Sequence, residues 1–323
     1  MLARKSLLGL PWPAWLVVGW VVFLAACSSA GQPTPSPQPT LPPVLPTATP
    51  APPTATPLPP TATPLPPTAT PSPIPSATPS PTPAWWRPTP GTTWQIQING
   101  GKIDLSYDAQ AYDVDLFDTP QSTIDKLHQM GRKVICYFSA GTYEDWRPDA
   151  KKFFGKGVLG KPLEDWEGER YLDIRRLDVL APIMEARLDL AVQKGCDAVD
   201  PDNVQNYLED SGFPLTYQDQ LTYNRWLAAQ AHKRGLAVGL KNDLEQIPDL
   251  VNDFDFAVSE ECFTYGECAP LKAFIAAGKA VFAIEYEASP AVCAKANALG
   301  FSLLLKPWDL SPPRYSCLQD YKE

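Results

Sequence analysis

The sequence predicts an α/β fold for residues 85–323, a (β/α)8 TIM barrel preceded by an export signal and a disordered linker. Two observations predict the barrel. Eight short apolar segments rich in β-branched and aromatic residues alternate with helix-like stretches, and most of these stretches stop at a glycine before the next apolar segment. Eight such units over about 240 residues fit a closed barrel, and an open doubly wound sheet is the alternative.

Residues 1–27 have the pattern of a lipoprotein signal. Arg4 and Lys5 precede an apolar run over residues 7–26, and the run ends in small residues directly before Cys27. This ending resembles a bacterial lipobox, which implies cleavage of the signal and lipidation of Cys27. A transmembrane anchor is the alternative, because the run is nearly long enough to span a bilayer. In either case we expect the rest of the chain to be extracytoplasmic and tethered to the cell membrane.

Residues 28–84 are predicted to form a disordered spacer. They contain no charged residue and few bulky apolar ones, and Thr-Ala-Thr-Pro recurs every seven residues, starting at residues 47, 54, 61 and 68. Such a segment buries too little apolar surface to offset its chain entropy, and its prolines favour extended polyproline II. We therefore expect three parts, a signal at 1–27, a linker at 28–84 and a folded domain at 85–323.

The charge of the folded part limits its partners. Arg4 and Lys5 are the charged residues among the first 84 positions, so the net charge of −9 for the whole chain becomes −11 when these two cations are left out. A domain this acidic is a poor partner for nucleic acid, because the phosphates repel it. The charge suits a neutral or cationic ligand.

The predicted strands lie in short β-rich segments at residues 94–98, 112–117, 133–138, 197–200, 237–241, 256–259, 281–286 and 302–305. Helix-like stretches lie between them, one before Gly131 and others at 177–194, 217–233, 271–277 and 290–299. Polar residues 99–110 join the first two strands. A ninth strand-like segment, 171–174, is interpreted as part of a long loop after the third strand.

Polar and aromatic residues follow strands three to eight. Because the carboxyl ends of parallel barrel strands meet at one rim, these side chains are expected around a single site. Aromatic faces beside carboxylates and amides suit a carbohydrate, whose C–H groups stack on rings while its hydroxyls take hydrogen bonds. The predicted substrate-binding residues are Tyr137, Trp146, Asn203, Lys241, Asn242, Glu285, Tyr286 and Trp308.

Three carboxylates at the ends of strands four and six are the catalytic candidates. Asp200 and Asp202 alternate along a strand and so point the same way, and Glu260 ends strand six. Glycoside hydrolysis needs one carboxyl to protonate the leaving oxygen and another to attack or to activate water. Strands four and six are about 10 Å apart, a gap that inward-leaning side chains can close. Glu260 is the acid/base candidate, because apolar neighbours such as Phe256 and Phe263 favour a protonated carboxyl.

These motifs resemble glycoside hydrolase family 114, the endo-α-1,4-polygalactosaminidases. The resemblance spans residues 94–306 and rests on segments 136–149, 195–203, 239–242, 260–263 and 285–286. It implies a TIM barrel that cleaves inside α-1,4-linked galactosamine polymers, with a catalytic aspartate after strand four and a catalytic glutamate after strand six. These fall on Asp200 or Asp202, of which Asp202 is preferred, and on Glu260. A partly de-N-acetylated polymer is cationic, which agrees with the acidic domain.

Two other functions remain open from the sequence. A non-catalytic barrel that holds surface polysaccharide would keep the aromatic residues without needing two carboxyls at catalytic distance. A hydrolase of another α-linked sugar would keep both. One departure from the family pattern is the segment 259–262, where the resemblance implies an amide on either side of the catalytic glutamate but Ser259 and Glu261 stand beside Glu260.

The cysteines beyond Cys27 fit an exported protein. Cys262 and Cys268 lie close together in one predicted loop and form one candidate disulfide, and Cys293 with Cys317 forms a second. The remaining two lie in or beside strands three and four, where either buried thiols or a bridge between strands is expected; they are Cys136 and Cys196.

Cofactor chemistry is not predicted. The two histidines, His128 and His232, both fall on predicted helices, which argues against a histidine-based zinc site and a Ser-His-Asp triad. The sequence carries no phosphate-binding loop and no dinucleotide fingerprint. The expected partners are therefore a polysaccharide and, through Cys27, a membrane.

Overall fold

The computed structural model describes residues 85–322. The predicted signal at 1–27, the lipidation of Cys27 and the whole predicted linker at 28–84 lie outside these residues. Within 85–322, no helix is both long enough and apolar enough to cross a membrane.

The described chain forms a curled, mostly parallel sheet with a small second sheet inserted in it. The main sheet has the order β1-β2-β3-β7-β8-β9-β10-β11-β12, and every pair in it is parallel except β11 with β12. The strands are β1 (Trp94–Gln97), β2 (Ala111–Asp115), β3 (Lys133–Ser139), β4 (Thr142–Glu144), β5 (Leu159–Pro162), β6 (Glu169–Leu172), β7 (Ala198–Asp202), β8 (Ala237–Lys241), β9 (Phe256–Glu260), β10 (Val281–Glu285), β11 (Ser302–Leu305) and β12 (Tyr315–Ser316). All eight predicted barrel strands are confirmed, with ends shifted by at most two residues.

The helices cover the outside of this sheet. They are α1 (Gln121–Gln129), α2 (Leu177–Lys194), α3 (Tyr217–Lys233), α4 (Ile247–Leu250), α5 (Lys272–Ala276) and α6 (Val292–Leu299), with 3-10 turns at Ala150–Phe153, Asn206–Leu208 and Leu244–Gln246. Helices α2 and α6 end on Gly195 and Gly300, both left-handed, as the glycine stops predict. The short α4 was not predicted, because four residues are too few to show a helical period.

Side chains, rather than a backbone ladder, join the first and last parallel strands. No backbone pairing between β1 and β11 occurs in the described chain. Instead the indole of Trp94 donates to the Ser302 carbonyl at 2.8 Å, and Arg314 donates to the Trp94 carbonyl at 2.9 Å. The short β12 pairs along the free edge of β11. The curled sheet is therefore closed by polar side-chain contacts between its two edges.

The inside of the curled sheet is apolar at the bottom and polar at the top. Alternate residues of each strand point inward, and the lower ones form a buried cluster that includes Trp94, Ala198, Phe256 and Phe282. Gly239 leaves room for the ring of Phe256, since a Cβ there would lie 2.4 Å from a ring carbon. The upper inward positions carry polar groups, and these build the candidate site.

Strands β4, β5 and β6 form a separate three-stranded antiparallel sheet after β3. The segment 171–174 was predicted to be loop, and this prediction was wrong at residues 171 and 172, which belong to β6. Arg187 anchors the insertion: it is 1 % exposed, donates to the Ser139 carbonyl and pairs with Asp149. A buried charge pair of this kind orients the insertion, since losing either partner would strand the other in the core.

Three disulfides link the described cysteines. Cys262 bridges Cys268 and Cys293 bridges Cys317, as predicted. Cys136 on β3 also bridges Cys196, two residues before β7, with Cα atoms 6.0 Å apart. The open choice between thiols and a bridge is thereby decided, because neighbouring parallel strands bring the two Cα atoms within disulfide range.

Candidate active site

Three neighbouring strands end in the same local conformation. Each of β7, β8 and β9 finishes with an inward-pointing polar residue, respectively Asp202, Lys241 and Glu260. The residue that follows each one is left-handed, with φ of 59° at Asn203, 51° at Asn242 and 58° at Glu261. Asparagine tolerates this region better than most residues, and glutamate at 261 is therefore the strained member of the series. The sharp turns leave the three charged side chains side by side at the mouth of the barrel.

Lys241 lies between the two carboxylates. Its Nζ is 3.0 Å from Oδ1 of Asp202 and 3.1 Å from Oε2 of Glu260, and the residue is 4 % exposed. Burial alone would lower the pKa of Lys241, but the charges of Asp202, Glu260 and Asp200 outweigh burial and raise it well above its ordinary value. The ammonium group is thus permanently charged and neutralises part of the carboxylate charge around it.

Asp202 is held as a carboxylate. Its Oδ2 accepts from the Tyr137 hydroxyl at 2.8 Å, and its Oδ1 accepts from the Asn203 backbone N–H at 2.8 Å. Burial would raise the pKa of Asp202, but Lys241 and these two donors outweigh burial and hold the pKa below its ordinary value. Its side chain is 19 % exposed, so an ionised carboxylate is presented to the cleft.

Glu260 has polar contacts on both carboxylate oxygens. The hydroxyl of Tyr286 donates to Oε1, and the amide of Asn242 lies 3.5 Å from Oε2, which also meets Lys241. Asn242 accepts in turn from the Glu260 backbone N–H at 2.9 Å. The apolar surroundings expected for Glu260 were wrong. Phe256 lies at the start of β9 and belongs to the lower core, whereas Phe263 lies beyond the turn after β9 and packs against the outer core.

Asp200 and Asp113 form a buried carboxyl pair beneath this group. Both are 0 % exposed, and their oxygens make no hydrogen bond that meets ordinary geometry within residues 85–322. Burial raises the pKa of Asp200 to about 7, and burial together with the charge of Asp200 raises the pKa of Asp113 well above its ordinary value. Asp113 therefore keeps its proton. Asp200 is sealed from the cleft, which leaves Asp202 as the aspartate that a ligand can reach.

Most of the predicted binding residues line one cleft of about 220 Å³. Asp202 and Glu260 lie in its wall, together with predicted residues Tyr137, Asn203, Lys241, Asn242, Tyr286 and Trp308. The rings of Tyr286 and Trp308 meet edge to face at 4.6 Å and form one side of it. The side chain of Asn203 turns to Ser139 at 3.0 Å.

Two predicted binding residues lie outside this lining. Glu285 is 0 % exposed and accepts hydrogen bonds from the backbone of Phe263 and Thr264, so it holds the loop closed by Cys262 and Cys268. Ile284 points into the inner core, so Glu285, the next residue along β10, lies on the outward face of the sheet. Trp146 is about half exposed and packs beside Gly168, away from the lining.

The inserted sheet supplies cleft residues that sequence reasoning missed. Trp166, Glu169 and Tyr171 line the cleft from the β5–β6 turn and from β6. The sequence signal that could have revealed them is the two-residue spacing of Glu169 and Tyr171, which puts both side chains on one face of a strand. From the sequence alone, this segment is interpreted as loop. Across residues 85–322, no three His, Cys, Asp or Glu side chains come together as metal ligands would.

The chain is similar to proteins of known structure. A crystal structure of Aspergillus fumigatus Ega3 in complex with galactosamine is 42 % identical, with a TM-score of 0.68 over 72 % of this chain and 97 % of that one. The glycoside hydrolase domain of PelA from Pseudomonas aeruginosa shares the fold, at 13 % identity and a TM-score of 0.57, over 70 % of this chain and 98 % of that domain. A search of curated proteins gave no match. The model of glycoside-hydrolase family GH114 matches residues 75–322, and the chain belongs to this family.

Proposed function

We propose that this glycosidase cleaves inside α-1,4-linked galactosamine polymers, with Asp202 and Glu260 as its catalytic pair. The observation that carries the proposal is the shared contact of both carboxylates with the Lys241 ammonium group at the mouth of the barrel. The likeness to Ega3, whose crystal structure contains galactosamine, supports the choice of sugar.

Asp202 is the proposed nucleophile. Because Lys241 Nζ is within 3.1 Å of an oxygen of each carboxylate, those two oxygens are at most about 6 Å apart, near the roughly 5–5.5 Å of retaining enzymes and below the roughly 6.5–9.5 Å of inverting ones. The ionised Asp202 attacks the anomeric carbon and forms a glycosyl-enzyme ester as the bond to the leaving oxygen breaks. Configuration at that carbon is then retained after a second displacement by water.

Glu260 is the proposed acid/base. Glu260 acts from its protonated form, having taken up a proton from solvent; it gives that proton to the leaving glycosidic oxygen in the first step and takes one back from the attacking water in the second. Tyr286 fixes one oxygen of Glu260, and burial followed by the Glu260 charge raises the pKa of the Tyr286 hydroxyl, so the hydroxyl stays a donor. Lys241 keeps the two carboxyl groups together while their charges change.

A second cavity next to the cleft supports cleavage within a chain. It shares Gln205, Asn242, Glu260 and Glu261 with the cleft and continues past them to Tyr265 and Glu267. Sugar-binding space therefore lies on both sides of Glu260. Such an arrangement accommodates a polymer that crosses the site, in agreement with endo cleavage.

The acidic domain suits a polymer that carries protonated amines, since opposite charges favour encounter and binding. The three disulfides fit an oxidising, extracytoplasmic compartment. We place the enzyme at the cell surface, held by a lipid on Cys27 and separated from the membrane by residues 28–84.

The test is release of reducing ends from α-1,4-galactosamine polymer by wild type and by Glu260→Gln. We expect wild type to give soluble oligosaccharides and the variant to give a rate lower by about 10²–10⁴-fold. Equal rates would leave a non-catalytic binding barrel as the better explanation. Faster release from another α-linked polymer would identify a hydrolase of a different sugar.

A further inference from the structure

Glu169 is a nearly buried carboxyl group in the wall of the cleft. It is 8 % exposed and lines the same space as Asp202 and Lys241. One oxygen, Oε2, accepts from the Thr142 hydroxyl at 2.8 Å. No basic side chain within residues 85–322 forms an ion pair with Glu169. A buried carboxyl group without a cation is costly in its charged form.

The charged residues around Glu169 in the described chain leave it without a cation of its own. Glu144 and Asp202 act on it as like charges, and Arg147 is the cation whose field reaches it. The Arg147 guanidinium is already paired with Asp115 at 2.7 Å and with Glu144 at 2.8 Å. Burial, with the charges of Glu144 and Asp202, raises the pKa of Glu169 to about 7 and outweighs the Thr142 hydrogen bond and Arg147, which lower it. The group is therefore ready to ionise when a cation enters the cleft.

The inserted sheet holds Glu169 in place with one oxygen free for a ligand. Thr142, which bonds Oε2, is itself bonded to Ser139 at 2.5 Å, and Ser139 accepts from Asn203 at 3.0 Å. Asn203 follows Asp202 directly along the chain. The position of the Glu169 carboxyl is thus tied through three side chains to the end of β7, which carries the proposed nucleophile.

We propose that Glu169 binds the protonated 2-amino group of the galactosamine residue on the Asp202 side of the scissile bond, and so selects a free amine over an acetamide. The proposal rests on the proposed function, which places galactosamine in this cleft. A primary ammonium group supplies both the missing charge and donors for the free oxygen. An acetamide at the same place offers no charge and brings a methyl group against the carboxylate.

The experiment measures kcat and KM of wild type and Glu169→Gln on matched α-1,4 oligosaccharides, one of galactosamine and one of N-acetylgalactosamine. We expect kcat/KM on the galactosamine oligomer to fall by about 10- to 100-fold, as for a lost hydrogen bond to a charged group. The N-acetylated oligomer is expected to change by less than about threefold, because it makes no ionic contact there. Glutamine still accepts from Thr142, and equal melting temperatures will verify that the fold is kept.

Asp210→Asn is the matched control. It removes one negative charge at an exposed carboxylate that pairs with Lys161, and we expect it to leave the preference between the two oligomers unchanged. Equal losses on both oligomers in Glu169→Gln, or a loss no larger than that of the control, would overturn the proposal.

Binding of the monosaccharides separates this proposal from the proposed function. Calorimetry with galactosamine and N-acetylgalactosamine compares wild type with Glu169→Gln and needs no turnover. Selective loss of galactosamine binding supports the role of Glu169 even if no polymer is cleaved. If wild type cleaves the polymer and Glu169→Gln binds galactosamine as tightly as wild type does, the role of Glu169 is refuted while the proposed function stands.

Discussion

Asp202 and Glu260 come from strands separated by β8, and one ammonium group, that of Lys241 on β8, contacts both. Two like charges this close would repel, and the cation between them makes their approach favourable. The strand order β7-β8-β9 therefore matters as much as the identity of the acids. A lysine at the end of the middle strand sets the separation on which the proposed chemistry depends.

Asp202→Asn and Asp200→Asn are expected to differ strongly in activity. Asp202 lines the cleft, whereas Asp200 is sealed beneath it. We predict a loss of at least about 10³-fold in kcat for Asp202→Asn and a rate within about 10-fold of wild type for Asp200→Asn. Release of reducing ends from galactosamine polymer measures both. The reverse order of the two losses would assign the nucleophile to Asp200.

Lys241→Met should lower kcat by about 10²–10³-fold, the range seen when one stabilising donor of a transition state is removed. The two carboxylates then lose their common cation and move apart or take up protons. Lys306→Met is the control, because Lys306 is also buried at a strand end but bonds to the Ser311 carbonyl. Similar losses in both variants would mean that burial of a lysine, rather than its contact with the acids, decides activity.

Trp166→Ala should raise KM for the polymer by up to about 10-fold. Stacking on one aromatic ring contributes up to about 1.5 kcal/mol, which corresponds to that factor in affinity. Trp146→Ala is the paired variant. Both tryptophans are about half exposed, but Trp166 lines the cleft and Trp146 does not. We expect Trp146→Ala to leave KM near the wild-type value. A larger effect at Trp146 would restore the sequence prediction for that residue.

Asp200→Asn should also change how stability depends on pH. The pKa of Asp200 is about 7 in the folded protein, and near 4 in an unfolded chain. Between about pH 4 and about pH 7 the Asp200 carboxyl therefore holds a proton in the folded state that it has lost in the unfolded state. This proton stabilises the folded state at low pH, and its contribution to the free energy of unfolding is lost as pH rises through about 7. Asp200→Asn has no carboxyl group at this position, so its stability does not fall for this reason. Melting temperatures from pH 4 to pH 8 should show wild type falling relative to Asp200→Asn, and parallel curves would contradict the prediction.

The strands and the acids at their ends were predictable because the signals are local. Asp202, Lys241 and Glu260 each lie within a few residues of an apolar strand and of the turn that ends it. Period-two alternation then decides which of these side chains share a face. Glycine stops at Gly195 and Gly300 mark helix ends in the same local way.

Other features depend on packing between distant segments. Glu169 enters the site because a buried arginine, Arg187, anchors the inserted sheet to the end of β3. Asp113 comes to face Asp200 across β3, which lies between their two strands. Glu285 has the same chemistry as Glu260, yet it points outward and holds a loop.

The amino-acid sequence by itself determined the order of the eight barrel strands, the family and the candidate acids at the strand ends, because hydrophobic period, turn residues and short motifs are read within one segment at a time. Only the tertiary structure decided that Asp202 rather than Asp200 faces the cleft, that Lys241 joins the two acids, and that Glu169 belongs to the same wall. Those facts depend on burial and on the distances between strands, which arise when segments far apart along the chain pack together.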